Sequence, residues 1–305
     1  MNNKFYVFIF LFISINKTFA SDIWFSPNDT DFINHRTLDG EWSLVRDNMS
    51  VFKFYSQVIR DAPDNSLKIK IKRLKEAKIK FAVEIPPLTW TEEYGKNVEG
   101  YQDNNYLVNV IKKLKRNGAE LDYIALDEPI FFAFYKNKNN KTAYNNMINN
   151  MAKTLSIVWQ YYPNVKVGDI EPLDQMDKKI FHDVFIKFIH DFKSKTGRHL
   201  DFLHVDIYWK GDYPSNIHSI QPILKDNNIK LGIIINSNNN VKNSFQWVSQ
   251  SEKNLSDFHE YAKVNPNTFI FQSWNKLPSK VLPENDDDSH ASVVKFYINN
   301  YYKKG

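Results

Sequence analysis

From residue 22 onward the sequence alternates between a short β-branched or aromatic run and a longer segment of helical periodicity, and it does so eight times. The predicted strands lie at 23–26, 51–57, 80–85, 122–127, 166–171, 201–208, 230–236 and 268–274. Helix-like stretches follow near 32–46, 65–77, 103–117, 142–161, 178–195, 216–227 and 254–264, with a last one near 290–302. Parallel strands need long crossovers, and a helix after every strand supplies them. About 285 residues is close to the size of a (β/α)8 barrel, typically about 250 residues. A doubly wound open sheet would often carry a glycine-rich phosphate turn after its first strand; here that turn reads Ser26-Pro27-Asn28-Asp29. The expectation is an α/β fold, a (β/α)8 TIM barrel. No linker interrupts the alternation, so residues 21–305 read as one domain.

Residues 1–20 do not belong to that pattern. A single lysine in Met1–Lys4 precedes the apolar run Phe5–Ile15, and a polar stretch ends in Thr18-Phe19-Ala20. This three-part layout is that of a secretory signal peptide cleaved after Ala20. The apolar run is too short for the roughly 20 residues a spanning helix needs, so no stable membrane insertion is expected. A secreted or periplasmic bacterial protein is the implied destination. The chain has no cysteine, which excludes disulfides, thiolate nucleophiles and Cys-ligated metals. It holds 40 basic and 35 acidic residues; with Lys4 and Lys17 in the leader, 38 basic residues remain, too small an excess to suggest a nucleic-acid partner. Lys68, Lys70, Lys72, Arg73 and Lys75 read as a solvated helix face, and Asp286-Asp287-Asp288-Ser289 as the cap of the last helix.

Side chains of a strand alternate between the helix layer and the barrel interior. In the sixth strand, Leu203, Val205, Ile207 and Trp209 form an apolar set, whereas Phe202, His204, Asp206 and Tyr208 form the other. Three polar groups on one face of a buried parallel strand are costly unless they serve one another or a ligand. Asp169 and Glu171 repeat the pattern in the fifth strand, Lys53, Tyr55 and Gln57 in the second. Glu84 stands in the third, Asn236 ends the seventh, and Gln272 and Trp274 share a face of the eighth. These residues gather toward the carboxyl ends of the strands, where barrels hold their active sites.

The fourth strand closes on two adjacent carboxylates, Leu126-Asp127-Glu128-Pro129, and the proline stops the ladder. An acidic or amide residue followed by Glu-Pro at this position resembles the motif of the large retaining superfamily of (β/α)8 glycoside hydrolases. The resemblance implies Glu128 as the acid/base, with Asp127 in place of the asparagine that holds the sugar 2-hydroxyl. Trp274 is similar to the aromatic sugar platform that ends the eighth strand in that superfamily. The segment from Trp274 through Leu282-Pro283-Glu284 resembles predicted secreted glycosidase-like proteins. One departure stands out: the superfamily's nucleophilic glutamate ends the seventh strand, and here that strand reads Ile233-Ile234-Ile235-Asn236-Ser237.

Glycosidic cleavage needs one acid to protonate the leaving oxygen and a second carboxylate to attack or to activate water. Glu128 is the expected acid. Asp206, then Glu171 and Asp169, are the candidates for the second group; the spacing of the fourth and sixth strands favours the wider, inverting geometry. Asp127, Asp169, Glu84, Tyr55, His204, Tyr208, Asn236, Gln272 and Trp274 are expected to bind substrate, and Trp24, Trp90 and Trp209 are further candidate sugar faces. The expected partner is a polysaccharide or oligosaccharide, and no cofactor or metal is expected. Two other readings use the same residues: a barrel that binds glycans without cleaving them, and a metal-dependent, sugar-isomerase-like site on Glu171, Asp206 and His204.

Overall fold

The computed structural model describes residues 21–90, 100–237 and 240–302, so the leader expected over residues 1–20 lies outside the described residues. Among those described, eight strands close a parallel barrel: β1 Asp22–Ser26, β2 Val51–Tyr55, β3 Lys80–Ile85, β4 Tyr123–Asp127, β5 Lys166–Glu171, β6 Phe202–Asp206, β7 Lys230–Ile235 and β8 Thr268–Gln272. Each pairs with its sequence neighbours, and β8 closes on β1 through Trp24 opposite Ile270. The helices are α1 Ser43–Asn48, α2 Ser56–Asp61, α3 Asp64–Glu76, α4 Tyr106–Arg116, α5 Lys141–Tyr161, α6 Lys178–Thr196, α7 Tyr213–Asp226, α8 Ser244–Asp257 and α9 His290–Asn300. No helix among the described residues is long and apolar enough to cross a membrane.

Every expected strand forms, but four are shorter at the carboxyl end than their apolar runs suggest. Ser56 turns into α2, and residues 207–208, 236 and 273–274 leave the ladder for loops. Two helical readings need correction. The stretch near 32–46 is two 3-10 turns, Asp31–Asn34 and Arg36–Trp42, before the short α1. The helix expected near 254–264 starts ten residues earlier, because Asn243 caps it by accepting the Gln246 amide at 2.9 Å. Two expected charge features also take definite form. Ser289 caps α9 by accepting the Ser292 amide at 3.2 Å, beside Lys280 paired with Asp286 and Asp288. The lysine-rich face of α3 is only partly solvated: Lys70 is buried against Asp31 at 2.7 Å and Arg73 pairs with Asp39.

The barrel has two apolar layers with different roles. Phe25, Phe52, Val83, Leu126, Leu203 and Ile233 point outward into one continuous core with the helices. Trp24, Val51, Ala82, Ala125, Ile170, Phe202, Ile234 and Ile270 fill the interior. Bulky rings make the floor of that interior: Trp24 packs on Tyr123 at 4.8 Å and edge-on to Phe202 at 5.6 Å. Glycine on the strands either side of β6 makes room for them. A Cβ at Gly168 would lie 2.1 Å from the Phe202 ring, and one at Gly232 would lie 2.4 Å from His204.

The amino-terminal rim is fastened by a repeated device. Asp122, Asp201 and Asn267 each precede an even-numbered strand. Their side chains accept the amides of Phe81, Val167 and Leu231 on the preceding strand, each at 2.9 Å. Polar residues at that end therefore serve the barrel itself.

Candidate functional site

Pairing register settles which polar side chains reach the mouth, because directly paired residues share a face. Asp127 pairs with Ile170, which pairs with His204, which pairs with Gly232; all four face inward. Asp206 pairs with Ile234 and also faces inward, as do Lys53, Glu84, Asn236 and Gln272 by alternation with the interior set. Asp169 pairs instead with Leu126 and Leu203, and Glu171 with Val205, all members of the helix-facing core. The expectation that Asp169 and Glu171 line the cleft is therefore corrected. They do share a face with Val167, as the alternation requires, but it is the outer face.

On the β2, β3 and β8 side the inward residues satisfy one another. Lys53, fully buried, pairs with the Glu84 carboxylate and donates to Gln272 Oε1, while Gln272 Nε2 donates to Glu84 Oε2 at 2.9 Å. Tyr55 caps the group by donating its hydroxyl to the Ser273 carbonyl at 2.8 Å. Burial, and then the charge of Glu84, push that phenol well above its ordinary range. Glu84, Tyr55 and Gln272, expected to touch substrate, form a closed network instead.

On the β6 to β8 side the arrangement is open. Asp206 is half-buried at the end of its strand, and its hydrogen bond comes from Asn236 Nδ2 at 3.3 Å. Burial pushes its carboxyl up to about 7, opposed by the Asn236 bond and reinforced by the charge of Glu84. Asn236 is itself held from both sides, accepting from Trp209 Nε1 at 2.6 Å and passing its backbone carbonyl to Asn254 Nδ2 at 2.9 Å. Above Asp206 lies a cavity of about 250 Å³ walled by Tyr208, Trp209, Asn236, Trp274 and Gln175. Tyr208 and Trp274 are 52% and 43% exposed, so both present ring surface to the cavity.

On the β4 and β5 side, Asp127 and Glu128 sit half-buried at the rim. Glu128 has φ +46°, a left-handed conformation uncommon for a non-glycine residue. Behind it, Glu171 is fully buried and accepts the Ile130 amide at 2.7 Å and the Phe131 amide at 3.1 Å. Asp169 is equally buried, and neither of its carboxyl oxygens has a hydrogen-bond partner. Burial pushes both acids well above the usual carboxylate range.

Two more expectations change. His204 lies in the barrel floor, 1% exposed, stacked on Phe202 at 4.3 Å and edge-on to Trp24 at 4.8 Å. Burial, and then the charge of Lys53, hold it well below its ordinary value, so it is a neutral packing ring and not a substrate ligand. Trp24 is buried in the same floor, and Trp90 bonds Asp103 through Nε1 at 3.0 Å; of the four tryptophans, Trp209 and Trp274 line the cavity. Among the described residues no group of three His, Cys, Asp or Glu is placed to hold a metal ion, and Glu171 faces away from Asp206 and His204. The isomerase-like arrangement is thus not the one this chain builds.

Sequence reasoning missed Asp174 and Gln175, which lie in the 3-10 turn Leu173–Gln175 after β5. Asp174 accepts from Asn216 on α7, and burial raises its carboxyl, with Asp206 among its electrostatic neighbours. No strand pattern announces a loop residue; Asp174 shows only as one of several acids in a polar stretch.

No family model matches this chain, and no curated protein is similar to it in sequence. Solved structures of similar architecture include a GH10 endoxylanase retrieved from a sugarcane soil metagenome, at 9% identity and TM-score 0.55 over 83% of this chain and 85% of that one. A fungal β-1,4-galactanase matches at 11% identity and TM-score 0.55, over 90% of this chain and 99% of that one. Xylanase 10B from Thermotoga maritima matches at 8% identity and TM-score 0.51, over 83% of each chain. At such identities the likeness is one of fold: this chain is built on the (β/α)8 barrel found in these glycoside hydrolases.

Proposed function

We propose that the protein is an exported glycoside hydrolase that cleaves a polysaccharide at the mouth of the barrel, with Glu128 as general acid and Asp206 as the second carboxylate. The observation that carries this reading is Asp206: an inward carboxyl near pKa 7, beneath a cavity walled by Trp209 and Trp274. A group that titrates near the working pH is suited to proton transfer. Pyranose rings present flat C–H faces that stack on indole, and Trp274 offers one at the rim. Asp127, facing inward beside Glu128, is in place to accept a sugar hydroxyl, and Asn236 orients Asp206. The fold shared with xylanases and a galactanase agrees with this substrate class. Residues 1–20 would direct export, which puts the enzyme where polysaccharide is found.

In the reaction, Glu128 gives its proton to the leaving glycosidic oxygen, while ionised Asp206 activates water or attacks the anomeric carbon. A second reading, a barrel that binds glycans without cleaving them, has one specific support: β7 ends at Ile235, and neither it nor Asn236 after it brings a carboxylate. One experiment separates the two. Purified protein is incubated with xylan, β-1,4-galactan and other soluble polysaccharides, and new reducing ends are counted beside a binding measurement. The hydrolase reading expects cleavage that Glu128→Gln abolishes while binding persists. Binding without cleavage by the wild type would establish the second reading, and cleavage undiminished in Glu128→Gln would remove Glu128 from the mechanism.

A further inference from the structure

The turn after β4 poses a hydrogen-bonding problem that the sequence itself creates. Pro129 has no amide, and the chain winds at once into a wide helical turn, Phe131–Tyr135, so the amides entering that turn need acceptors from elsewhere. Ile130 and Phe131 are both buried, away from water. Their acceptor is Glu171, the last residue of β5, which uses one carboxyl oxygen for each amide, at 2.7 and 3.1 Å. The backbone of Glu128 donates to the Ile170 carbonyl at 3.1 Å and accepts the Phe132 amide at 3.0 Å. Its left-handed φ of +46° persists because the chain on both sides is held. On the far side, Phe132 packs so closely on Gly100 that a Cβ there would lie 2.5 Å from the ring.

We propose that Glu171 is a positioning residue for Glu128: by gripping the Ile130 and Phe131 amides from the helix side of the barrel, it fixes the left-handed turn that carries Glu128. The role rests on the reading of Glu128 as the acid, but the grip itself does not. A carboxylate in this place is more than a generic cap, because the residue it steadies lies two and three positions before the amides it binds. Misplacing a reacting group by about 1 Å costs roughly 100-fold in rate. The chain contains a natural control. Glu284 makes the same double contact, accepting the Leu44 and Val45 amides at 3.1 and 2.9 Å, at the start of α1.

The test compares Glu171→Gln with Glu284→Gln in the full chain, by amide hydrogen exchange and by 13C NMR titration of the Glu128 carboxyl. A glutamine keeps one acceptor and sets an N–H₂ against the second amide. In Glu171→Gln, exchange at Ile130 and Phe131 should rise about tenfold, with the β1 to β3 amides unchanged and the Glu128 titration displaced. Glu284→Gln should speed exchange at Leu44 and Val45 and leave the Glu128 titration as in the wild type. On whichever of xylan or β-1,4-galactan the wild type cleaves, Glu171→Gln should lower kcat about tenfold with KM nearly unchanged. Unchanged exchange at Ile130 and Phe131, or an unmoved Glu128 titration, overturns the proposal. A wild type that cleaves neither polysaccharide would instead count against the hydrolase reading, with the exchange result still deciding the grip.

Discussion

Glu84 and Asp206 are the same kind of group in the same kind of place, a carboxyl near the end of a parallel strand facing the barrel axis. Their surroundings differ completely. Glu84 meets the Lys53 ammonium and the Gln272 amide and is buried. Asp206 meets the Asn236 amide at 3.3 Å and opens on a cavity with exposed aromatic walls. A buried acid with a counter-charge is a structural component, whereas one left near pKa 7 beside a cavity is available for proton transfer. The sector around β2, β3 and β8 thus braces the rim, and the sector around β4 and β6 is where the chemistry is proposed.

The largest expected effect lies on the chemical side of that contrast. Glu128→Gln should lower hydrolysis by about 10³-fold, as loss of a general acid does, with little change in urea midpoint. Next comes the bracing side. Lys53→Met leaves Glu84 buried without its cation and should cost about 3–5 kcal/mol in urea unfolding, as breaking a buried pair does. If Lys53→Met folded as stably as the wild type, the division of the rim into braced and reactive sectors would fail.

Asp206 gives a sharper, pH-dependent form of the same contrast. Its folded pKa of about 7 lies above the unfolded value of about 3.9, so between those pH values the folded chain binds more protons than the unfolded one. Stability therefore falls as pH rises through this window, and it is greatest below it. Asp206→Asn should remove that decline and make the protein more stable than the wild type at pH 8. Activity should run the opposite way, rising through about pH 7 as Asp206 ionises, if it is the base or nucleophile. A rate that falls through the same range would exchange the roles of Asp206 and Glu128. The smallest expected effect is that of Trp274→Ala, which should weaken oligosaccharide binding by about tenfold or less, read by calorimetry, with kcat nearly unchanged.

Much of this arrangement was legible in the sequence because period-2 alternation is a strong signal in strands buried on both faces. The inward placement of Lys53, Glu84, Asp127, Asp206 and Gln272 follows from it directly. β5 is where the same reasoning misleads. Asp169 and Glu171 look like an inner set because they are polar, yet Gly168 and Ile170 face inward, since the Phe202 ring of β6 needs the space above Gly168. Only the register with Leu126 and Leu203 reveals this, and register between strands is not written in either strand alone. Loop residues such as Asp174 and Gln175 were invisible for a related reason: their place depends on chain paths that have no periodicity. His204 shows why an inner polar ring resembles a ligand in the sequence: its layer in the barrel, against Phe202, is set by the fold.

The central claim, that the β4 and β6 sector of the rim holds a scissile glycosidic bond, is tested most directly by the structure of Glu128→Gln bound to a xylo- or galacto-oligosaccharide. The expected result is a pyranose ring against Trp274, with its glycosidic oxygen within hydrogen-bond reach of residue 128 and Asp206 on the opposite side of the anomeric carbon. Sugar bound away from this mouth, or a bound chain whose glycosidic oxygens reach neither carboxyl position, would contradict it.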